Sequence, residues 1–103
     1  MKFLERCYSR NPSIISKAIG ETVFLVPMQD NLVDLENIYT LESVGARIWE
    51  LIDGRRSVKQ IKEILTEEFE ENPKQIEDDL VEIFKQLENR HFIKVKNLKI
   101  KTA

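Results

Sequence analysis

The sequence predicts a small α+β domain in which three antiparallel strands are followed by three helices. Three observations carry this. Short apolar, β-branched runs occur at Ser13 to Ala18, Thr22 to Pro27 and Ile38 to Leu41. From Val44 onward the apolar residues recur at helical spacing instead. The two regimes meet in one stretch, NIYTLESVGARIWELIDG at residues 37–54, which reads as strand, turn and helix.

Met1 to Pro12 is polar and ends in Asn-Pro, which suggests an arm leading into the fold. Ser13 to Ala18 and Thr22 to Pro27 read as a hairpin around Ile19-Gly20-Glu21, with Pro27 helping to end the second strand because it supplies no amide donor. Met28 to Glu36 is a polar loop with an extended piece at Leu32 to Leu35. In the third strand, alternation puts Tyr39 and Leu41 on one face and Ile38 and Thr40 on the other. The first helix runs from about Val44 to Ile52, with Ser43 as its cap and Asp53-Gly54 as its stop. Val44, Ile48, Leu51 and Ile52 share its apolar face, with Trp49 at the margin.

Ser57 and Gln60, three apart, form a capping box for a second helix whose apolar face is Val58, Ile61, Ile64, Leu65 and Phe69. Asn72-Pro73 opens a third helix, with proline at its first position. There Ile76, Leu80, Ile83, Phe84 and Leu87 cluster on about a third of the circumference, at ~100° per residue. This helix ends near Asn89, and Phe92 to Val95 reads as a short late strand.

The ordered residues resemble the PqqD family, also called the RiPP recognition element when it serves ribosomally made, modified peptides. They are Y-x-L-x-x-V-G-A-x-I-W-E-L-I-D-G from Tyr39, with Gly20-Glu21 and the run Thr22 to Pro27 upstream. Downstream they are Ser57-Val58-x-x-Ile61, Glu67-Glu68-Phe69, Asp79-Leu80, Phe84, Leu87 and Phe92-Ile93. The resemblance covers roughly residues 12 to 95. It implies a winged helix-turn-helix-like topology, and with the polar start and the lysine-rich end it gives a PqqD-like domain at 13–95 between an arm at 1–12 and a basic tail at 96–103. It further implies that a precursor peptide's leader adds as a strand between the third strand and the third helix.

Carried onto this chain, that site is Asn37, Ile38, Tyr39, Thr40 and Leu41, with Val81, Phe84, Lys85 and Glu88 as the helical wall. From the residues alone two readings of the strand edge stay open: a docking edge, or one covered by a loop or the arm. Val81 likewise reads either as groove wall or as a lone surface apolar residue.

Catalysis finds little support. The chain has one histidine, His91, which reads as structural, and one cysteine, Cys7, which reads as an incidental thiol in a mobile arm. No His/Cys cluster has metal-ligand spacing, and Gly20, Gly45 and Gly54 are too scattered to cradle a phosphate. Asp78-Asp79 and the glutamates at 67, 68, 70 and 71 read as solvated helix surface, and Trp49 as core. No cofactor and no metal are therefore expected.

Charge is uneven. Residues 61–90 hold 4 basic and 10 acidic side chains, and residues 91–103 hold 4 lysines. The third helix has five acidic side chains against Lys74, Lys85 and Arg90, which suits a phosphate-lined groove badly. A winged-helix DNA-binding regulator is the alternative this weakens. A structural subunit that dimerises through its edge strand is a third reading. No apolar run approaches the ~20 residues that span a bilayer, and MKFLERCYSR has no apolar signal core. With a single cysteine these point to a cytoplasmic setting.

The expectation is thus a non-enzymatic peptide chaperone, monomer or weak homodimer. It would bind a precursor leader and present it to a modifying enzyme, in many relatives a radical S-adenosylmethionine enzyme, with no nucleic-acid or membrane partner.

Overall fold

A computed structural model describes residues 2–96. The strands are β1 (Tyr8–Arg10), β2 (Ile14–Ile19), β3 (Thr22–Gln29), β4 (Leu32–Val33), β5 (Tyr39–Glu42) and β6 (Ile93–Val95). The helices are α1 (Val44–Leu51), α2 (Val58–Phe69) and α3 (Pro73–Asn89). The class is α+β and winged helix-turn-helix-like, as expected. The strands number more than three. β2, β3 and β5 form the expected meander, β4 adds beside the end of β3, and β1 pairs with β6 in a second, two-stranded sheet.

The hairpin turn at Gly20-Glu21 is tight because Gly20 takes φ +62°, which suits the first central position of a type II′ turn. Asp30 and Asn31, both with positive φ, make the two-residue turn between β3 and β4. Pro27 does not end β3, which runs on to Gln29. The Met28 N–H bonds to the Ser13 carbonyl, so alternation turns the neighbouring Pro27 position away from β2. There it lies just beyond the two β4 pairs, opposite Asp34, which is outside β4. Its carbonyl accepts from the Asp34 N–H at 2.8 Å.

The arm is the main correction. Its residues do not hang off the domain. Tyr8 is 2% exposed and packs edge-to-face on Phe84, with ring centroids 4.8 Å apart. The Tyr8 carbonyl accepts from Gly54, the Arg6 carbonyl from Val58, and the Cys7 carbonyl from Lys96. Cys7 is therefore held at the join of the two-stranded sheet and the α1–α2 link, and its Sγ donates to the Arg55 carbonyl. Arg10 crosses beneath α1, donating to the Ile52 and Glu50 carbonyls, with its guanidinium 4.9 Å from the Trp49 ring. Trp49 itself is core, at 2% exposure.

Ser43 does not cap α1. It sits at φ +53°, ψ −115°, with no side-chain capping bond. Its N–H instead continues the β3–β5 ladder to the Glu21 carbonyl. The other caps form as read. Ser57 and Gln60 make both bonds of the capping box, and Asn72 accepts from the Lys74 N–H with Pro73 behind it. The core joins Val23, Leu25 and Leu41 of the sheet to Ile48, Ile61, Leu65, Ile76, Leu80 and Leu87 of the helices. Of the expected tail at 96–103, only Lys96 lies within the described residues.

Candidate functional site: the outer edge of β5 beside α3

β5 pairs with β3 in the register Thr22↔Glu42, Val23↔Leu41, Phe24↔Thr40, Leu25↔Tyr39. No strand among the described residues pairs with its other edge. The direction of each amide follows from one bond. The Ser43 N–H donates to the Glu21 carbonyl at 3.0 Å, and antiparallel ladders alternate. Leu41 and Tyr39 therefore turn their N–H and C=O toward β3, and Thr40 and Glu42 turn theirs to the open edge.

α3 runs alongside. Leu41 is 5% exposed and meets α1 where Gly45 lacks a side chain. A Cβ at Gly45 would stand 3.3 Å from Leu41 Cδ2 and 3.5 Å from Ile83 Cδ1, so the strand, α1 and α3 converge there. Tyr39 ties the strand to the far end of α3. Its hydroxyl donates to Gln86 Oε1, its ring meets Phe92 edge-on at 6.2 Å, and the Arg90 guanidinium lies 4.4 Å from its ring centroid. Thr40 is exposed on the outer face of the sheet, and Ile38 is 40% exposed. Asn37 ends a short 3₁₀ turn, its amide donating to Asp34 Oδ2 at 2.7 Å. Asn37 also helps line a concavity of about 310 Å³ with Asp34, Met28, Arg90, His91 and Phe92. The five strand residues are thus brought together along one edge.

The four helical residues expected beside them are not. Phe84 is core, at 1% exposure, and only Val81 (48% exposed), Lys85 and Glu88 face outward. With Phe84 they line a separate concavity of about 270 Å³ against Phe3, Arg6 and Tyr8. At ~100° per residue these positions stand roughly 100–160° round the helix from Gln86, on the opposite flank. Gln86 and Arg90 meet Tyr39 of β5, and helical three- and four-residue steps put Glu82 and Asp79 on that same flank nearer the start of the helix. Sequence reasoning missed these. A helix with a buried stripe has two flanks, and choosing between them required knowing that the N-terminal strand takes the other one.

The charges on the β5-facing flank are sparsely compensated. Arg90 and Glu82 make no ion pair among the described residues, and Asp79 accepts only from Gln75 Nε2 at 3.1 Å. The single histidine closes α3. His91 takes φ +64°, its N–H donates to Glu88 and that of Phe92 to Leu87, which is a Schellman ending with histidine in the left-handed place. Among the described residues no group of three or more His, Cys, Asp or Glu could hold a metal ion. No described helix is long and apolar enough to cross a membrane.

Comparison with known proteins agrees with this architecture. The structure resembles "TbiB1 in Complex with the TbiA(beta) Leader Peptide" with a TM-score of 0.69 and 21% identity, over 89% of this chain and 99% of that one. That similarity establishes a shared fold. No curated protein matches the sequence. The family model of coenzyme PQQ synthesis protein D matches residues 31–93, from the β3–β4 turn to the first residue of β6. That stretch covers more than half of the chain, including β5 and all three helices, and the chain belongs to the PqqD family.

Proposed function

We propose that this domain binds the leader segment of a ribosomally made precursor peptide by strand addition to β5, and presents the rest of that peptide to a modifying enzyme. The observation that carries this is the β5 register. It leaves the Thr40 and Glu42 backbone groups open, beside a helix flank that supplies a second wall. An extended peptide gains backbone hydrogen bonds along such an edge, and specificity from side-chain contacts with the wall. Membership of the PqqD family and the leader-bound state of the structural neighbour TbiB1 support the same reading.

The contact set we propose is Asn37, Ile38, Tyr39, Thr40 and Leu41 on the strand side. On the helix side it is Ile83, Gln86 and Arg90, in place of Val81, Phe84, Lys85 and Glu88. The domain has no chemistry of its own in this reading. It acts by raising the effective concentration of the peptide at a separate enzyme, in the cytoplasm. The acidic residues of the β5-facing flank, Asp79 and Glu82, argue for a peptide there rather than a nucleic-acid backbone.

The test is a titration of labelled leaders from precursor genes in the same locus, with random duplex DNA as the competitor. At least one leader should bind with Kd well below ~1 mM, which corresponds to about 4 kcal/mol. Its binding should shift the backbone amide resonances of Thr40 and Glu42, and duplex DNA should not displace it. Absence of binding by every such leader, or tight sequence-selective duplex binding, would overturn the proposal.

A further inference from the structure

We infer that the β5–α3 groove is polarised by charge and selects a peptide with an acidic side chain at its Arg90 end and a basic one at its Asp79–Glu82 end. This rests on the strand-addition reading above and adds to it the chemistry of the occupant.

Three features carry the inference. Arg90 is a cation at one end of the groove, held 4.4 Å over the Tyr39 ring and without an acidic partner among the described residues. Asp34, the acidic residue that lines the same concavity, forms no ion pair with Arg90. One oxygen accepts from the Glu36 N–H at 3.1 Å and the other from the Asn37 amide at 2.7 Å. At the other end Glu82 and Asp79 share the flank of Gln86 one and two turns earlier, and no lysine or arginine among the described residues pairs with either.

β5 advances along α3, with Tyr39 at Gln86 and Arg90 and Leu41 converging with Ile83 at Gly45, so spacing sets the pattern in the occupant. Glu82 and Arg90 are eight residues apart on α3, or about 12 Å at ~1.5 Å rise per residue. A strand advances ~3.3 Å per residue, so four residues span about 13 Å. Side chains four apart on a strand also point to the same face. A peptide whose acidic and basic residues are separated by three others therefore meets both ends of the flank at once. A spacing of three or five residues turns one of the two charges away from the helix.

Phage-displayed random twelve-residue peptides panned against the intact protein at low salt test this. Recovered peptides should carry Asp or Glu four positions from Lys or Arg, and should shift the Thr40 and Glu42 amide resonances. Arg90→Glu should weaken such peptides about fivefold and, when panned itself, replace the acidic preference by a basic one. Arg90→Lys should keep the acidic preference, and Glu82→Lys should invert the preference at the other end. Peptides that shift Thr40 but show no charge pattern, or a pattern indifferent to Arg90→Glu, overturn the polarity and leave strand addition standing. Peptides that leave Thr40 and Glu42 unmoved, or recovery of none above background, overturn both.

Discussion

Proline at Thr40 separates the binding edge from the fold. Thr40 is exposed, its side chain is on the outer face of the sheet, and its N–H points away from β3. Thr40→Pro therefore removes no ladder bond within the domain, and edge positions are where strands tolerate proline. Its cost to stability is the φ constraint, on the order of 1 kcal/mol. Its cost to binding is larger. One net hydrogen bond is lost, worth ~0.5–1.5 kcal/mol, and a peptide carbonyl faces the proline ring unpaired, at ~1–3 kcal/mol when desolvated. Taking about 2 kcal/mol from the lower part of these ranges, the dissociation constant should rise about 30-fold. Thr40→Ala keeps the amide and should bind within about threefold of the parent. Leu41→Pro, one position on, removes an amide that faces β3 and a side chain 5% exposed, and should unfold the domain. The assay is fluorescence anisotropy with a labelled leader, alongside urea denaturation of each variant. A cooperative Thr40→Pro protein that binds within threefold of the parent would refute strand addition at β5.

Three further outcomes test the fold. Tyr8→Ala should lower stability by about 3–4 kcal/mol in urea denaturation, because it empties a site packed on Phe84 and Phe3; a loss under ~1 kcal/mol would put β1 outside the cooperative core. Ser43→Gly should raise stability by roughly 1 kcal/mol, since φ +53° with ψ −115° is a glycine conformation, whereas a loss would mean that the hydroxyl caps α1 after all. Asp53 accepts from the Arg56 and Arg55 N–H groups, both at 2.9 Å, and these bonds hold its carboxyl below the usual carboxylate range. A depressed carboxyl stabilises the fold above its unfolded value of about 4 and loses that contribution as pH falls through its lower folded value. Asp53→Ala should therefore cost ~0.5–1 kcal/mol at pH 7, allowing for solvent screening, and progressively less as pH falls below about 4; a deficit that does not change with pH would refute the assignment.

What could be read from the sequence, and what could not, divides along one physical line. Local signals held wherever a few neighbouring residues decide the outcome. The Ser57–Gln60 capping box, the Asn72-Pro73 start, the period-2 burial of Tyr39 and Leu41 and the buried stripe of α3 are all of this kind. Ser43 is the exception that shows the limit. A serine before a helix is a good cap only if its own backbone is free to take the cap geometry. Here the β3–β5 ladder extends one pair further, to Glu21, and sets that backbone first. The larger misreading has the same origin. MKFLERCYSR contains little apolar periodicity, so its one committed core residue, Tyr8, reads as a solitary aromatic in a polar arm. Its burial depends on β6, 85 positions away, through Tyr8↔Val95 and Arg10↔Ile93. That pairing also decides the site. With β1 and the turn at Phe3–Glu5 packed along one side of α3, Val81, Lys85 and Glu88 face the N-terminal segment. The opposite flank, with Gln86 and Arg90, is left to face β5. Which residues share the open strand edge is set by alternation over five adjacent residues and is legible in the sequence. The helix half depends on which element occupies the other side of α3, a long-range fact that no window of α3 contains.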